Sequence, residues 1–270
     1  QHETVLEIDL QKLAENLSYF RSQIKPPTQI MVMVKAFAYG SGAGAVANFL
    51  QNQKVDYLGV AYADEGINLR KKGVRTPIMV MSPEQSAYEG ILQFELEPEI
   101  FSLSSLKAFM RSAKSFRHFF QRFPIHLKMD TGMHRLGFSM EDLPEVISIL
   151  KETPYLKVQS VFTHLSATDD ASADSFTHQQ IAKFREMAQL VEDGLGYQFM
   201  RHCLNSTGIV RFPEYHFDMV RLGIGLYGFT GSEHNKFVHA LGTLKSYIVQ
   251  IRKVKANDIV GYALKGASDH

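Results

Sequence analysis

Four stretches of this 270-residue chain attach groups capable of acid–base or carbonyl chemistry to apolar runs of strand length. The first is Val34-Lys35-Ala36-Phe37-Ala38-Tyr39-Gly40-Ser41-Gly42. A lysine directly behind an apolar run is partly desolvated, which lowers its ammonium pKa and exposes an amine able to form a Schiff base. Lysines also snorkel out of strand ends with no chemical role, and the stretch by itself is compatible with both. The small residues and glycines behind Lys35 let the backbone approach a ligand closely.

The second stretch runs from Leu127 to Phe138, where Lys128 and Arg135 flank Asp130-Thr131-Gly132. Two cations around a glycine turn suit a carboxylate or phosphate clamp. The third, Phe162-Thr163-His164-Leu165, carries a histidine at a strand end, either a satisfied structural residue or an acid–base group. A metal site is not expected, because no second histidine stands three or four residues from His164 and His178 falls on the next helix. The fourth is a pair of loops, Asn205-Ser206-Thr207-Gly208 and Val220-Arg221-Leu222-Gly223-Ile224-Gly225. Serine, glycine and free backbone N–H groups at late strand ends make a phosphate site of the kind barrels carry. Tight-turn geometry would explain the same glycines.

The elements that must position these groups follow one rhythm. Runs with β character lie at Gln29–Val34, Tyr57–Val60, Pro77–Met81, Glu99–Ser102, Ile125–Met129, Val158–Thr163, Met200–Asn205 and Val220–Leu222. Helical stretches fill the intervals at Ala43–Asn52, Ala63–Lys72, Ser104–Lys114, Glu141–Lys151 and Phe176–Asp193, the last expected to end at Gly194. A strand at Val5–Ile8 and a helix at Leu10–Gln23, with Asp9 as its N-cap, open the chain. About eight strand–helix units favour an α/β fold of the (β/α)8 TIM-barrel type, with its chemistry on the rim where strands end. After Gly228 the texture changes: Leu244–Val254 alternates like one longer strand and no helix follows. The expected division is a barrel over 1–235 and the start of a β-rich domain, left incomplete, over 236–270.

Bulk properties exclude several classes of function. A hydrophobic fraction of 45% and a charged fraction of 21% describe a globular chain with material for a core. A formal charge of +1 gives no drive towards nucleic acid or acidic membranes. The single cysteine, Cys203, rules out an internal disulfide, which suits a reducing, cytoplasmic setting. No apolar run is long enough to span a bilayer, and early acidic residues, Glu3 and Glu7, argue against a signal peptide. The cluster Lys71, Lys72 and Arg75 reads as a solvated helix end.

The Lys35 stretch resembles the cofactor-lysine motif of the alanine racemases, Lys-Ala-x-Ala-Tyr-Gly-x-Gly, with Ser41 where the family usually has histidine. The Lys128 stretch resembles their Lys-x-Asp-Thr-Gly-Met-x-Arg-Leu-Gly pattern, and Thr163-His164 their Thr-His motif. The resemblance covers residues 5 to about 262 and implies a pyridoxal 5'-phosphate (PLP) enzyme of fold type III. It implies PLP on Lys35, with Tyr39, Ser206, Gly223 and Ile224 around its phosphate, Asn205 among the other cofactor-binding residues and Arg221 facing its pyridine nitrogen. Arg135 would contact the cofactor's phenolic oxygen and the substrate carboxylate, and His164 would support the second base. Lys128 is a candidate for carbamylation. The two bases implied are Lys35 and Tyr262, the latter donated across a homodimer; no metal is implied. The family's C-terminal domain would extend roughly 100 residues further, so a fragment or part of a fusion is expected. The leading expectation is L- to D-alanine interconversion for the cell wall. Racemisation of another amino acid, such as serine or lysine, and a non-catalytic PLP-carrying barrel are the alternatives.

Overall fold

The computed structural model describes residues 4–116, 122–231, 233–262 and 266–267. Strand β1 (Val5–Ile8) comes first, then helix α1 (Leu10–Ser22), started by Asp9, whose carboxylate accepts from the Gln11 and Lys12 N–H groups. Strands and helices then alternate: β2 (Gln29–Met33), the short turn α2 (Lys35–Tyr39), α3 (Ala43–Asn52), β3 (Tyr57–Val60), α4 (Ala63–Lys71), β4 (Ile78–Val80), α5 (Tyr88–Gln93), β5 (Glu97–Ile100), α6 (Leu103–Phe116), β6 (Phe123–Lys128), α7 (Leu143–Lys151), β7 (Leu156–Phe162), α8 (Asp174–Leu195), β8 (Met200–His202), α9 (Ser206–Arg211) and β9 (Met219–Leu222). Beyond them lie β10 (Gly242–Lys245), β11 (Ile259–Val260) and β12 (Gly266–Ala267).

Strands β2 to β9 form one parallel sheet of eight in the order β8-β7-β6-β5-β4-β3-β2-β9. The two edge strands close on each other through Asp218 N–H to Arg201 O (3.1 Å) and Arg221 N–H to Leu204 O (3.1 Å). This is the (β/α)8 barrel that the eight runs imply. Parallel strands covered by helices are buried on both faces, and β2, β3 and β4 accordingly read as near-continuous apolar runs. Odd-numbered residues of β2 turn into the barrel: Met31 and Met33 pack with Tyr57, Met79, Phe162 and Met219, which come from strands that are not all neighbours and can meet only through the interior.

Several expectations change. Strand β5 begins at Glu97, not Glu99, and ends at Ile100; Glu97 and Glu99 share its inner face, and two inward carboxylates hide the strand from an apolar-periodicity reading. Helix α8 runs through Gly194 and stops at Gly196, which takes the left-handed conformation (φ +74°). Gly194 is instead a packing glycine: a Cβ there would lie 2.7 Å from Ile147 Cδ1. The strand expected at Leu244–Val254 is confined to Gly242–Lys245, because its partner β1 offers only Val5–Ile8 for antiparallel pairing.

The chain divides into two compact units. One is 9–241, and the other joins β1 to the segment from 242 onward. The first unit extends past 235 because the turn at 238–241 is tied to α1. Asn16 Nδ2 donates to Leu226 O and His239 O, Asn16 Oδ1 accepts from His239 N–H, and Val238 and Leu241 are buried. In the second unit β1 pairs with β10 and β11 with β12, and Lys245 bridges Glu7 at 2.7 Å. Among the described residues no helix is long and apolar enough to cross a membrane.

Candidate active site

The C-terminal strand ends surround a cavity of about 510 Å³. Every candidate read from the barrel part of the sequence lines it: Lys35 behind β2 with Tyr39 after it, Lys128 at the end of β6 with Arg135 in the following loop, His164 behind β7, Asn205 and Ser206 behind β8, and Arg221, Gly223 and Ile224 at and behind β9. Tyr262 belongs to the other unit, just after β11, and is fully exposed. Among the described residues no cluster of three metal-ligating side chains occurs.

Lys35 opens a turn the sequence does not advertise. Ala36, Phe37, Ala38 and Tyr39 all have φ between +51° and +57°, a left-handed turn built from non-glycine residues. Each costs about 1–2 kcal/mol relative to the right-handed form, so other contacts must hold it. Glu65 supplies one: its carboxylate accepts the Ala36 N–H at 2.6 Å while also accepting the Ala61 N–H at 2.6 Å. The turn delivers Tyr39 onto Tyr227, ring centroids 4.7 Å apart, and the Tyr227 hydroxyl donates to Met33 O. Burial raises the pKa of both phenols, so both stay neutral donors.

Gly223 allows the Tyr39 hydroxyl to come close, since a Cβ there would sit 3.1 Å from Tyr39 Oη and 3.8 Å from Ser206 Oγ. Ser206 Oγ accepts from both the Gly223 and Gly225 N–H groups, at 2.9 and 3.1 Å, which leaves its own hydrogen to donate. Two hydroxyls therefore converge on a space that a side chain at 223 would fill, which fits a phosphate group. Asn205 is engaged structurally: its Oδ1 caps α9 through Gly208 N–H and accepts from Thr168 Oγ1.

Arg221 is buried, 3% exposed, and its Nη atoms are committed. Nη1 donates to His202 Nδ1 (2.8 Å) and Nη2 to Thr163 O (2.8 Å) and Cys203 O (3.0 Å). Among the described residues nothing takes its Nε–H, and Arg221 reaches the cavity wall. Burial pulls its pKa to about 10, which still leaves it charged at neutral pH. His164 Nδ1 lies 3.4 Å from Arg221 Nη2. Burial first, then the charges of Arg221, Arg135, Lys128 and Lys35, push His164 down to about 3, so the ring is neutral.

Glu99 was not anticipated. Its carboxylate is fully buried and lies 3.1 Å from Lys128 Nζ, yet neither oxygen has an aligned hydrogen bond among the described residues. Burial raises Glu99 to about 7 and lowers Lys128, so desolvation outweighs the pairing at both ends. The signal was available: a glutamate two residues from another glutamate in a β run marks one polar face.

A barrel rim that gathers a lysine, a buried arginine and a two-hydroxyl cup is the working end of a TIM-barrel enzyme. Residues 8–231 match the alanine racemase N-terminal domain. Alanine racemase 1 of Oceanobacillus iheyensis is 31% identical over 267 residues, covering 96% of this chain and 69% of that protein. Alanine racemase 2 of Clostridium acetobutylicum is 34% identical over 266 residues, covering 95% and 65%. Among solved structures, alanine racemase of Clostridium difficile 630 superposes with a TM-score of 0.90 at 31% identity, over 99% of this chain and 70% of that one. The Bartonella henselae alanine racemase, described with covalently bound pyridoxal phosphate, gives 0.87 at 25% identity, over 100% and 73%. The chain belongs to the alanine racemase family, a family of PLP-dependent isomerases.

Proposed function

We propose that this chain is a PLP-dependent racemase that interconverts L- and D-alanine. The observation that carries the reading is the convergence of Lys35, the Tyr39–Ser206–Gly223 cup and Arg221, whose Nε–H is taken by no described residue, on one cavity. Lys35 would hold the cofactor's aldehyde carbon, the two hydroxyls its phosphate, and Arg221 its ring nitrogen. When bound, PLP supplies an electron sink that acidifies the hydrogen on the substrate's α-carbon.

The protein's part is proton placement. Arg221 stays charged and does not surrender its proton to a ring nitrogen, so the sink is kept weak, which suits brief removal and return of one proton better than transamination. Arg135, exposed on the rim, is placed to pair with a substrate carboxylate. Neutral His164 beside Arg221 adds no second positive charge there. Racemisation needs a base on each face: Lys35 on one, and Tyr262 of the partner subunit on the other, in a homodimer working in the cytoplasm to supply D-alanine. Serine or lysine remains the alternative substrate, read from the family resemblance alone.

The test is borohydride reduction of the PLP-loaded chain followed by peptide mapping, with α-hydrogen exchange of L- and D-alanine in D2O. A pyridoxyl group on Lys35 and exchange from both enantiomers are expected. A label on another lysine would overturn the assignment. Tyr262→Phe should lower racemisation about 10²–10⁴-fold, the usual worth of a positioned proton-transfer group, with PLP occupancy unchanged. Full activity in that variant would require a second base within the barrel.

A further inference from the structure

Behind the site, five side chains from five strands form an unbroken hydrogen-bonded chain through the barrel. Arg221 Nη1 meets His202 Nδ1 at 2.8 Å, His202 Nε2 meets Ser160 Oγ at 2.9 Å, Ser160 Oγ meets His126 Nδ1 at 2.6 Å, and His126 Nε2 meets Glu97 Oε2 at 2.8 Å. His202, Ser160 and His126 are all 0% exposed, whereas the Glu97 side chain, at the first residue of β5, is 13% exposed. The wire therefore runs from the cavity wall to the opposite end of the barrel.

Its polarity follows from the donor and acceptor inventory. A guanidinium only donates, so His202 Nδ1 must accept and a neutral His202 must carry its hydrogen on Nε2. That hydrogen goes to Ser160 Oγ, the serine hydrogen goes to His126 Nδ1, and His126 must then donate from Nε2. Glu97, when ionised, offers His126 only acceptors. Each link has one consistent direction, and the cation and anion that fix it stand at the two ends. Phe162 braces the middle, stacked on His202 at 5.0 Å and 3°. No step of the proton exchange uses His126, Ser160 or Glu97.

We infer that Glu97, His126, Ser160 and His202 are positioning residues for Arg221: a one-way hydrogen-bond chain that locks His202 in the accepting tautomer and so aims the guanidinium at the cofactor ring. The inference rests on the PLP reading for its functional sense, but its physical content is independent of the cofactor. Buried donors and acceptors left unmade are costly, so a break anywhere along the chain is felt at Arg221.

The experiment is ¹⁵N NMR of the histidine rings in the full chain, without and then with saturating PLP, in wild type, Glu97→Ala, Glu97→Gln and Ser160→Ala. His126 and His202 should both be Nε2–H tautomers with bare Nδ1. Glu97→Ala, at the solvent-reaching end of the chain of bonds, should shift the ring nitrogens of His202, which Glu97 does not touch. The same variant should weaken PLP binding roughly tenfold, the scale of one unmade buried hydrogen bond. Glu97→Gln keeps an acceptor for His126 and should restore both readouts. Adding Glu97→Ala to Ser160→Ala should change nothing further at His202, because the link is already cut. An Nδ1–H tautomer in either ring, or a His202 spectrum indifferent to Glu97→Ala, would overturn the inference. Should wild type fail to load PLP on Lys35, the functional reading falls, while tautomers and coupling in the cofactor-free chain still decide this one.

Discussion

The two halves of the barrel interior are filled by different chemistry. On β2 to β4 the inward positions hold Met31, Met33, Tyr57, Gly59 and Met79, and the glycine is there because a Cβ would lie 2.5 Å from Met33 Sδ. On β5 to β9 they hold Glu97, Glu99, His126, Lys128, Ser160, His202 and Arg221, with Phe162 and Met219 among them. Methionine fills irregular space without directional demands, so the first half needs only volume. The second half needs partners, since each buried polar atom costs free energy until it is paired. One half holds the barrel shut; the other spends stability to aim charged groups at the rim. A core can be half hydrogen-bond scaffold provided the links are made, and among the described inward side chains of β5 to β9 the buried oxygens left unpaired are those of Glu99.

Phe162 lies on the seam. It packs in the methionine cluster, stacks on His202, and lies under the Arg221 and Lys128 cations at 5.2 and 5.7 Å. Phe162→Ala should therefore damage both halves, costing about 3–5 kcal/mol of stability for the buried ring and weakening PLP binding as Arg221 loses its brace. Met79→Leu, wholly within the apolar half, should cost less than about 1.5 kcal/mol and leave PLP binding unchanged. Urea unfolding and PLP titration of the two variants check this. Equal losses of cofactor affinity would mean that the halves are not separate in function.

The barrel and the positions of its reactive groups were legible in sequence because both are local. Eight apolar runs each end in a distinctive loop, and the motifs around Lys35, Lys128 and Arg221 sit on those loops. The polar interior was not legible. Strands buried on both faces lack an alternating pattern, so Glu97, His126 and Ser160 looked like ordinary strand residues, and only three-dimensional closure brings them into line. The left-handed turn at Ala36–Tyr39 was hidden for a similar reason: its stabilising carboxylate, Glu65, lies on another helix. Tyr262 is the opposite case. Its place in the sequence suggests a role, while its own unit leaves it fully exposed.

The smallest expected effect separates the halves by pH. His164 is held neutral, with a folded-state pKa of about 3 against a usual 6.5, by burial and the surrounding cations. As pH falls through 6.5 the unfolded chain binds this proton and the folded chain does not, so stability drops across the window from 6.5 towards 3 and is unaffected above it. His202 is lowered in the same direction, so the wild type carries at least two such contributions. His164→Gln removes one of them. Its urea midpoint should fall less steeply than wild type between pH 6.5 and 4, by at most about 1.4 kcal/mol per pH unit for one proton. The curves should be parallel above pH 7.5. Met79→Leu, with nothing titratable changed, should track the wild-type curve at every pH. Parallel wild-type and His164→Gln curves below pH 6.5 would mean that His164 is already charged in the folded protein, and that the polar half tolerates one more cation beside Arg221 than its geometry implies.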